Sequence, residues 1–206
     1  MSFLARCSIP TVASGQRIGL FGGSFNPPHE GHRAASLTAL RRLHLDYVWW
    51  LVSPANPLKD PQTLAPFEMR VEAARQLARH PRIRITELEA AIGATHTYET
   101  LAFLKRRFPT VHFVWLMGAD NFLTFDRWQR WREVAKLAPI AVIDRPGSTL
   151  TALHGRAAEA LARYRYDETD GACLATAPPP AFVFIHGRRS PASSSELRSK
   201  IAELPQ

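Results

Sequence analysis

The sequence is poor in cysteine and has no long apolar segment. Its two cysteines, Cys7 and Cys173, form neither a CxxC spacing nor a disulfide framework. The longest unbroken apolar run, Tyr47 to Val52, is far shorter than the about 20 residues that a transmembrane helix needs. Arg6 and Pro10 interrupt residues 1–16, which therefore lack the apolar stretch of a secretion signal. These absences predict a cytoplasmic protein without a membrane segment. Residues 1–16 are expected to be a flexible leader, and the length of the chain predicts a single domain over 17–206.

The charge balance is positive, at +8 for 206 residues. A positive field favours anionic partners such as nucleotides, phosphates or nucleic acid. The basic residues are scattered along the chain, and aromatic-basic RNA motifs are absent. We therefore expect small anionic ligands and no nucleic acid, while an RNA-binding module remains the alternative from another class of function.

Short apolar runs alternate with helical patterns along the whole chain. Strands are predicted over residues 17–21, 47–52, 83–88, 111–117, 140–143 and 182–185. Helices are predicted over 29–43, 66–78, 98–108, 122–137, 150–164 and 194–203. This alternation predicts an α/β fold, with a parallel sheet covered by helices on both faces. Such sheets bind ligands at the carboxyl ends of their strands.

The stretch GGSFNPPHEGH, residues 22–32, follows the first predicted strand. It contains neither the GxxxxGK[ST] nor the GxGxxG spacing. Gly22 and Gly23 allow the backbone to approach a ligand closely, and the start of the next helix offers N–H groups to a phosphate. His29 and His32 are predicted to share one helical face, where both imidazoles can donate to one anionic group. Gly31 leaves room beside them for a nucleotide.

The same histidines suggest a second possibility, a zinc site. HEGH is one residue short of the HExxH pattern of metalloproteases. No third ligand follows at an obvious spacing, so a metal hydrolase remains a minor alternative that predicts bound zinc.

With its glycines, proline and histidines, GGSFNPPHEGH resembles the GxFxPxHxGH signature of the HIGH-motif nucleotidyltransferases. The resemblance implies a Rossmann-like fold and transfer of a nucleoside monophosphate from a nucleoside triphosphate. SSSELR, residues 193–198, resembles the second signature of that family, ISSTxIR. A capping box accounts for Ser193 and Glu196 but not for Arg198. The resemblance implies that ATP is bound by Gly22, Gly23, Ser24, Phe25, His29, Gly31, His32, Gly118, Asp120, Ser194, Ser195 and Arg198.

Two further segments resemble the nicotinate mononucleotide adenylyltransferases within that family. They are MGADNFLTFDRWQRW, residues 117–131, and THTYETL, residues 95–101. The resemblance implies that Trp128 stacks on the pyridine ring, that Thr97 faces the ring carboxylate and that Asp120 binds a ribose hydroxyl. His96 departs from the family, where tyrosine is usual.

The pattern around Trp128 has an alternative interpretation. Apolar side chains recur at a spacing of three residues at Phe122, Phe125, Trp128, Trp131 and Val134. Such a stripe is typical of a core-facing helix. Without the resemblance, Trp128 would be assigned to the core together with Trp131.

The resemblance implies a complete reaction, in which ATP and nicotinate mononucleotide give nicotinate adenine dinucleotide and pyrophosphate. The catalytic residues would be His29, His32, Lys59 and Arg198. The mononucleotide would be bound by Ser24, Lys59, Thr97, Trp128 and Arg145. Mg²⁺ is expected through the ATP phosphates, without a dedicated metal site on the protein. Nicotinamide mononucleotide and phosphopantetheine remain alternative acceptors, and both a monomer and a homodimer remain possible.

Overall fold

The computed structural model describes residues 9–54, 63–144 and 154–187. Seven strands form one sheet in the order β3-β2-β1-β4-β5-β7-β6, and each neighbouring pair is parallel. The strands are β1 (Arg17–Gly23), β2 (Tyr47–Val52), β3 (Ile83–Thr86), β4 (His112–Gly118), β5 (Ile140–Ile143), β6 (Arg165–Tyr166) and β7 (Phe182–Ile185). The predicted parallel sheet is confirmed.

Seven α-helices and three 3₁₀ segments connect the strands in the described ranges. The helices are α1 (Glu30–Arg42), α2 (Phe67–Leu77), α3 (Leu88–Ile92), α4 (Thr97–Arg107), α5 (Ala119–Leu123), α6 (Trp131–Leu137) and α7 (Arg156–Leu161). The 3₁₀ segments are Phe125–Arg127, Ala162–Tyr164 and Glu168–Thr176. No helix in these ranges is both long and apolar enough to cross a membrane.

Both faces of the sheet are buried, as near-continuous apolar strands require. Successive side chains of a strand point to opposite faces, so Trp49 and Trp50 enter two different apolar clusters and both are fully buried. One cluster includes side chains of α4 and α6, such as Leu104 and Val134. The other includes Val71 of α2 and side chains of α1. Helices therefore cover both faces, as predicted.

The order of the strands places a crevice at β1. The chain moves from β1 to β2 and β3 on one side, and then returns to β4 on the other side of β1. In open α/β sheets, ligands bind outside the carboxyl ends of the strands at such a switch point. The loops that follow β1 and β4 therefore border one crevice.

The prediction of one helix over residues 122–137 is wrong. The structure has α5, a 3₁₀ turn and α6 in this region. Trp128 is extended, with ψ 141°, and Arg130 is left-handed, with φ 54°, so the helix cannot continue through either residue. Phe122, Phe125, Trp131 and Val134 are nevertheless buried on both sides of the break, so the apolar stripe reflects burial and not one continuous helix.

Smaller differences concern the ends of elements and short elements. β3 ends at Thr86 and is followed by α3, which was not predicted. The short strand β6 and the 3₁₀ segment Glu168–Thr176 were also not predicted. The predicted helix over 194–203 lies outside the described residues. Within the expected leader, the N–H of Gly15 donates to the carbonyl of Thr110 at 2.9 Å.

Candidate active site

The first loop lies at the carboxyl end of β1 and leads directly into α1. Its side chains at Ser24, Asn26 and His29 are buried, with exposed fractions of 6%, 7% and 4%. Buried polar groups are normally hydrogen-bonded. The Nδ2 of Asn26 donates to the carbonyl of Thr63 at 2.7 Å, and its Oδ1 accepts from the N–H of Ala65 at 3.0 Å. Hydrogen bonds thus hold this loop in a defined conformation.

His29 and His32 cap the start of α1 reciprocally. The N–H of Gly31 donates to Nδ1 of His29 at 3.1 Å, and the N–H of His29 donates to Nδ1 of His32 at 3.2 Å. The two ring centroids are 3.8 Å apart. His29 is the N-cap residue, with extended backbone angles, so it precedes the helix and does not share a helical face with His32. The helix predicted from about residue 29 begins at Glu30.

These bonds determine which nitrogen carries the proton in each neutral ring. An Nδ1 that accepts a backbone N–H is unprotonated, so Nε2 carries the hydrogen. Nε2 is therefore the protonated nitrogen of both rings, and Nε2 of His29 is buried. The ring of His32 also packs against Phe25, with centroids 4.9 Å apart.

Phe25, a predicted ATP-binding residue, directs its ring into the core. It is 2% exposed and stacks on Trp50 at 4.8 Å with an interplanar angle of 12°. Its backbone is left-handed, with φ 47°, which is costly for a bulky residue. The side chain of Phe25 therefore packs against His32 within the core and is not accessible from the surface.

Gly22 has a role that its sequence context does not indicate. A Cβ atom at this position would lie 2.6 Å from Cη2 of Trp115. Real Cβ atoms do not approach other atoms so closely, so this glycine makes room for the indole of the neighbouring strand. At Gly23 the nearest atom, Cε2 of Phe25, would be 3.4 Å away, which is ordinary contact.

The predicted adenosine-side residues follow β4, the other strand that borders the crevice. Gly118 ends β4 and is the N-cap of α5, and Asp120 lies exposed in the first turn of that helix. Because β4 pairs with β1, Asp120 and the first loop lie at the same edge of the sheet.

Trp128 is half-buried, whereas its neighbours in the stripe are in the core. Phe125 is fully buried and Trp131 is 8% exposed. The ring of Trp128 packs edge-on against Trp115 at 6.3 Å and against Phe125 at 5.4 Å. Trp128 therefore lines the core with one part of its indole and reaches the surface with another.

Thr97 is half-buried and is the first residue of α4. Oε2 of Glu99 accepts the N–H groups of Thr95 at 2.8 Å and His96 at 3.1 Å, and these bonds lower the pKa of the Glu99 carboxyl. The guanidinium carbon of Arg130 lies 3.5 Å from the ring centroid of Tyr98. This contact places the segment of Trp128 beside the start of α4.

Three polar residues of this region were not predicted from the sequence. Arg70 is 3% exposed and Glu89 is 7% exposed, and Ser53 directly follows β2. Burial raises the pKa of the Glu89 carboxyl, and hydrogen bonds from Ser53 and Thr100 oppose that shift. One signal was present: Arg70 occupies a core position of α2, between Phe67 and Ala74.

The remaining predicted site residues are not described by the structure. Lys59, Arg145, Ser194, Ser195 and Arg198 lie outside the described ranges. Within those ranges, no group of three or more His, Cys, Asp or Glu side chains could hold a metal ion.

Comparisons with known proteins find a matching family model and similar proteins. The cytidylyltransferase-like family model matches residues 20–200. A probable nicotinate-nucleotide adenylyltransferase of Methylorubrum extorquens is 58% identical over 184 residues, which cover 89% of this chain and 100% of the relative. One of Brucella abortus (strain 2308) is 53% identical over 181 residues, covering 88% and 93%.

A solved structure shares the fold at low identity. It is the Plasmodium falciparum nicotinic acid mononucleotide adenylyltransferase complexed with NaAD, with a TM-score of 0.64 and 18% identity. The match covers 89% of this chain and 83% of that one.

We expect Gly22→Ala to lower the free energy of unfolding by about 1–3 kcal/mol, because the added methyl group collides with a buried indole. Gly23→Ala, one residue along the same strand, is the matched control and should change it by less than about 0.5 kcal/mol. Urea unfolding measures both, and the smaller ring of Trp115→Phe should restore part of the loss in the Gly22→Ala background. Equal stability of the two alanine variants would contradict this role of Gly22.

Proposed function

We propose a function for the site of this chain, which belongs to the cytidylyltransferase-like family and, within it, to the nicotinate-nucleotide adenylyltransferases. It is an adenylyltransferase of NAD biosynthesis. It transfers the adenylyl group of ATP to nicotinate mononucleotide and releases pyrophosphate. The observation that carries the proposal for the site is the pair His29 and His32, whose Nδ1 atoms accept backbone N–H groups where the loop after β1 enters α1.

The chemistry needs no general base. A phosphate oxygen of the mononucleotide is already anionic near neutral pH, and it forms the new bond to the α-phosphorus of ATP. The bond from that phosphorus to the bridging oxygen breaks, and pyrophosphate leaves with the electron pair. The contribution of the protein is then positioning and stabilisation of charge.

The two histidines supply fixed donors for the phosphates. Their Nδ1 atoms are held by backbone N–H groups, so the rings need not reorient as negative charge shifts during transfer. Preorganised donors of this kind are effective because no reorganisation accompanies the reaction. The positive end of the dipole of α1, a helix of 13 residues, also favours an anion near its first turn.

The other site residues are assigned on the resemblance of the motifs. Asp120 and Gly118 bind the adenosine side, and Ser24 lies between the two substrates. Lys59 and Arg198, with Ser194 and Ser195, stabilise the leaving pyrophosphate. Thr97, Trp128 and Arg145 bind the mononucleotide. ATP enters as its magnesium complex, with the ion held by phosphates and water.

The direct test is turnover by the purified full chain with ATP and Mg²⁺. Nicotinate mononucleotide, nicotinamide mononucleotide and phosphopantetheine are supplied in parallel, and pyrophosphate and the adenylylated product are measured together. Stoichiometric release with the nicotinate substrate supports the proposal. Turnover with phosphopantetheine alone, or RNA binding without any turnover, would overturn it.

We expect His32→Asn and His29→Asn each to lower kcat by about 10²-fold or more, because each removes one donor to the transferring group. The Asn Oδ1 can accept the backbone N–H that Nδ1 accepts, so the cap of α1 is retained. The matched variants His32→Ala and His29→Ala lose the cap as well and should unfold at lower urea concentration. Wild-type turnover in both Asn variants would remove the two imidazoles from the mechanism.

We expect Trp128→Ala to raise the KM for the mononucleotide by about fivefold, which corresponds to about 1 kcal/mol of lost stacking. The KM for ATP should stay close to that of the wild type, and Trp128→Phe should lie between the two. Steady-state kinetics with each substrate varied in turn measures this. A rise of both constants together with a loss of stability would assign Trp128 to the core.

A further inference from the structure

Arg70 is a buried cation whose hydrogen-bond acceptors, among the described residues, are all main-chain carbonyls, and its guanidinium carbon lies 5.5 Å from the ring centroid of Phe67. Its Nη1 donates to the carbonyls of Ser24 at 2.7 Å and Ser53 at 2.8 Å. Its Nη2 donates to the carbonyl of Pro54 at 3.0 Å, and its Nε to that of Ala65 at 2.9 Å. One rigid guanidinium thus joins the loops that follow β1 and β2.

Burying a charged side chain costs free energy unless its donors are hydrogen-bonded. The planar guanidinium of Arg70 meets this condition by donating to main-chain carbonyls in different directions. Burial lowers the pKa of the Arg70 guanidinium, but arginine remains protonated in proteins. A lysine could not reach these acceptors in the same way, because its ammonium lacks the fixed fork of donors.

Ser53 is the junction of this arrangement, since its N–H, its carbonyl and its hydroxyl each have a partner. Its N–H donates to the carbonyl of Gly23 at 3.0 Å, at the end of β1. Its carbonyl accepts from Arg70, and its hydroxyl donates to Oε2 of Glu89 at 2.6 Å.

Glu89 extends the chain of bonds to α4. Its Oε1 accepts from the hydroxyl of Thr100 at 3.2 Å, and Thr100 is fully buried. Thr97, which begins α4, lies three residues earlier and therefore on the same side of the helix as Thr100. The bonds thus run from Ser24 through Arg70, Ser53 and Glu89 to Thr100.

We propose that Arg70, Ser53 and Glu89 form a buried positioning network, which holds the loop of Ser24 at a fixed separation from the start of α4. This inference rests on the proposed function, in which ATP binds at the first loop and the mononucleotide binds near Thr97. In-line transfer requires the acceptor oxygen and the α-phosphorus to be aligned, and a misplacement of about 1 Å can cost about 10²-fold in rate. The network sets that alignment without touching either substrate.

The test compares Glu89→Gln, Arg70→Lys and the double variant with the wild type. Glu89→Gln keeps the shape of the side chain but replaces one acceptor oxygen by a donor. Arg70→Lys keeps the charge but loses the fork. Val48→Ala is the control, since this buried residue lies near the opposite end of β2 and its truncation lowers stability without altering the network.

The measurements are kcat at saturating substrates, the Kd for ATP and for nicotinate mononucleotide alone, and the fraction of folded protein. Each single variant should lower kcat by about tenfold or more, while the two Kd values change by less than about threefold. Because the network acts as a unit, the double variant should lose little more than the worse single variant. Val48→Ala should keep the wild-type kcat per folded molecule.

The proposal is overturned if both single variants behave like Val48→Ala, or if the loss in the double variant equals the product of the single losses. If Arg70→Lys does not fold, Ser53→Ala with Glu89→Gln gives a second cycle, which tests the bond between Ser53 and Glu89 because Ser53→Ala removes only the hydroxyl. If the wild type is active and the variants keep its kcat, the network is refuted and the proposed function is not. A wild type that is inactive with every acceptor refutes the proposed function, and the role of the network with it.

Discussion

The site depends on two hydrogen bonds, which Nδ1 of His29 accepts from the N–H of Gly31 and Nδ1 of His32 accepts from the N–H of His29. They satisfy N–H groups at the start of α1, fix both rings and leave each Nε2–H as the donor nitrogen. The packing beside them serves the same end, because Phe25 has a left-handed backbone and its ring packs against both Trp50 and His32. The strain in the backbone of Phe25 is thus offset by the burial of its ring beside the histidines.

A second constraint acts across the sheet. Parallel strands align their carboxyl ends at one edge, but the loops that follow them are irregular and need other contacts to hold their positions. Gly22 and Trp115 fit against each other between β1 and β4. Arg70 provides bonds between the loops of β1 and β2, and Glu89 connects β2 with α4. Buried polar bonds therefore link the predicted binding elements to one another.

The architecture was predictable because a parallel sheet produces unmistakable apolar runs, such as Tyr47–Val52, and the first loop carries a specific motif. The break before Trp131 was not, because the left-handed backbone of Arg130 has no signature in an arginine side chain. Arg70 was missed for another reason. Its acceptors at Ser24 and Ala65 are main-chain carbonyls, which exist at every residue and carry no sequence signal. The assignment of Trp128 to the pyridine ring stays a prediction.

The most direct test of the account is nitrogen-15 NMR of the imidazole rings of His29 and His32 in the intact protein above their pKa values. The geometry requires both rings to be neutral with the proton on Nε2, because each Nδ1 accepts a backbone N–H. Long-range couplings should identify Nε2 as the protonated nitrogen in both rings. A proton on Nδ1 of either ring would contradict it, since that ring could not cap α1 and present a donor to the phosphates in the same orientation.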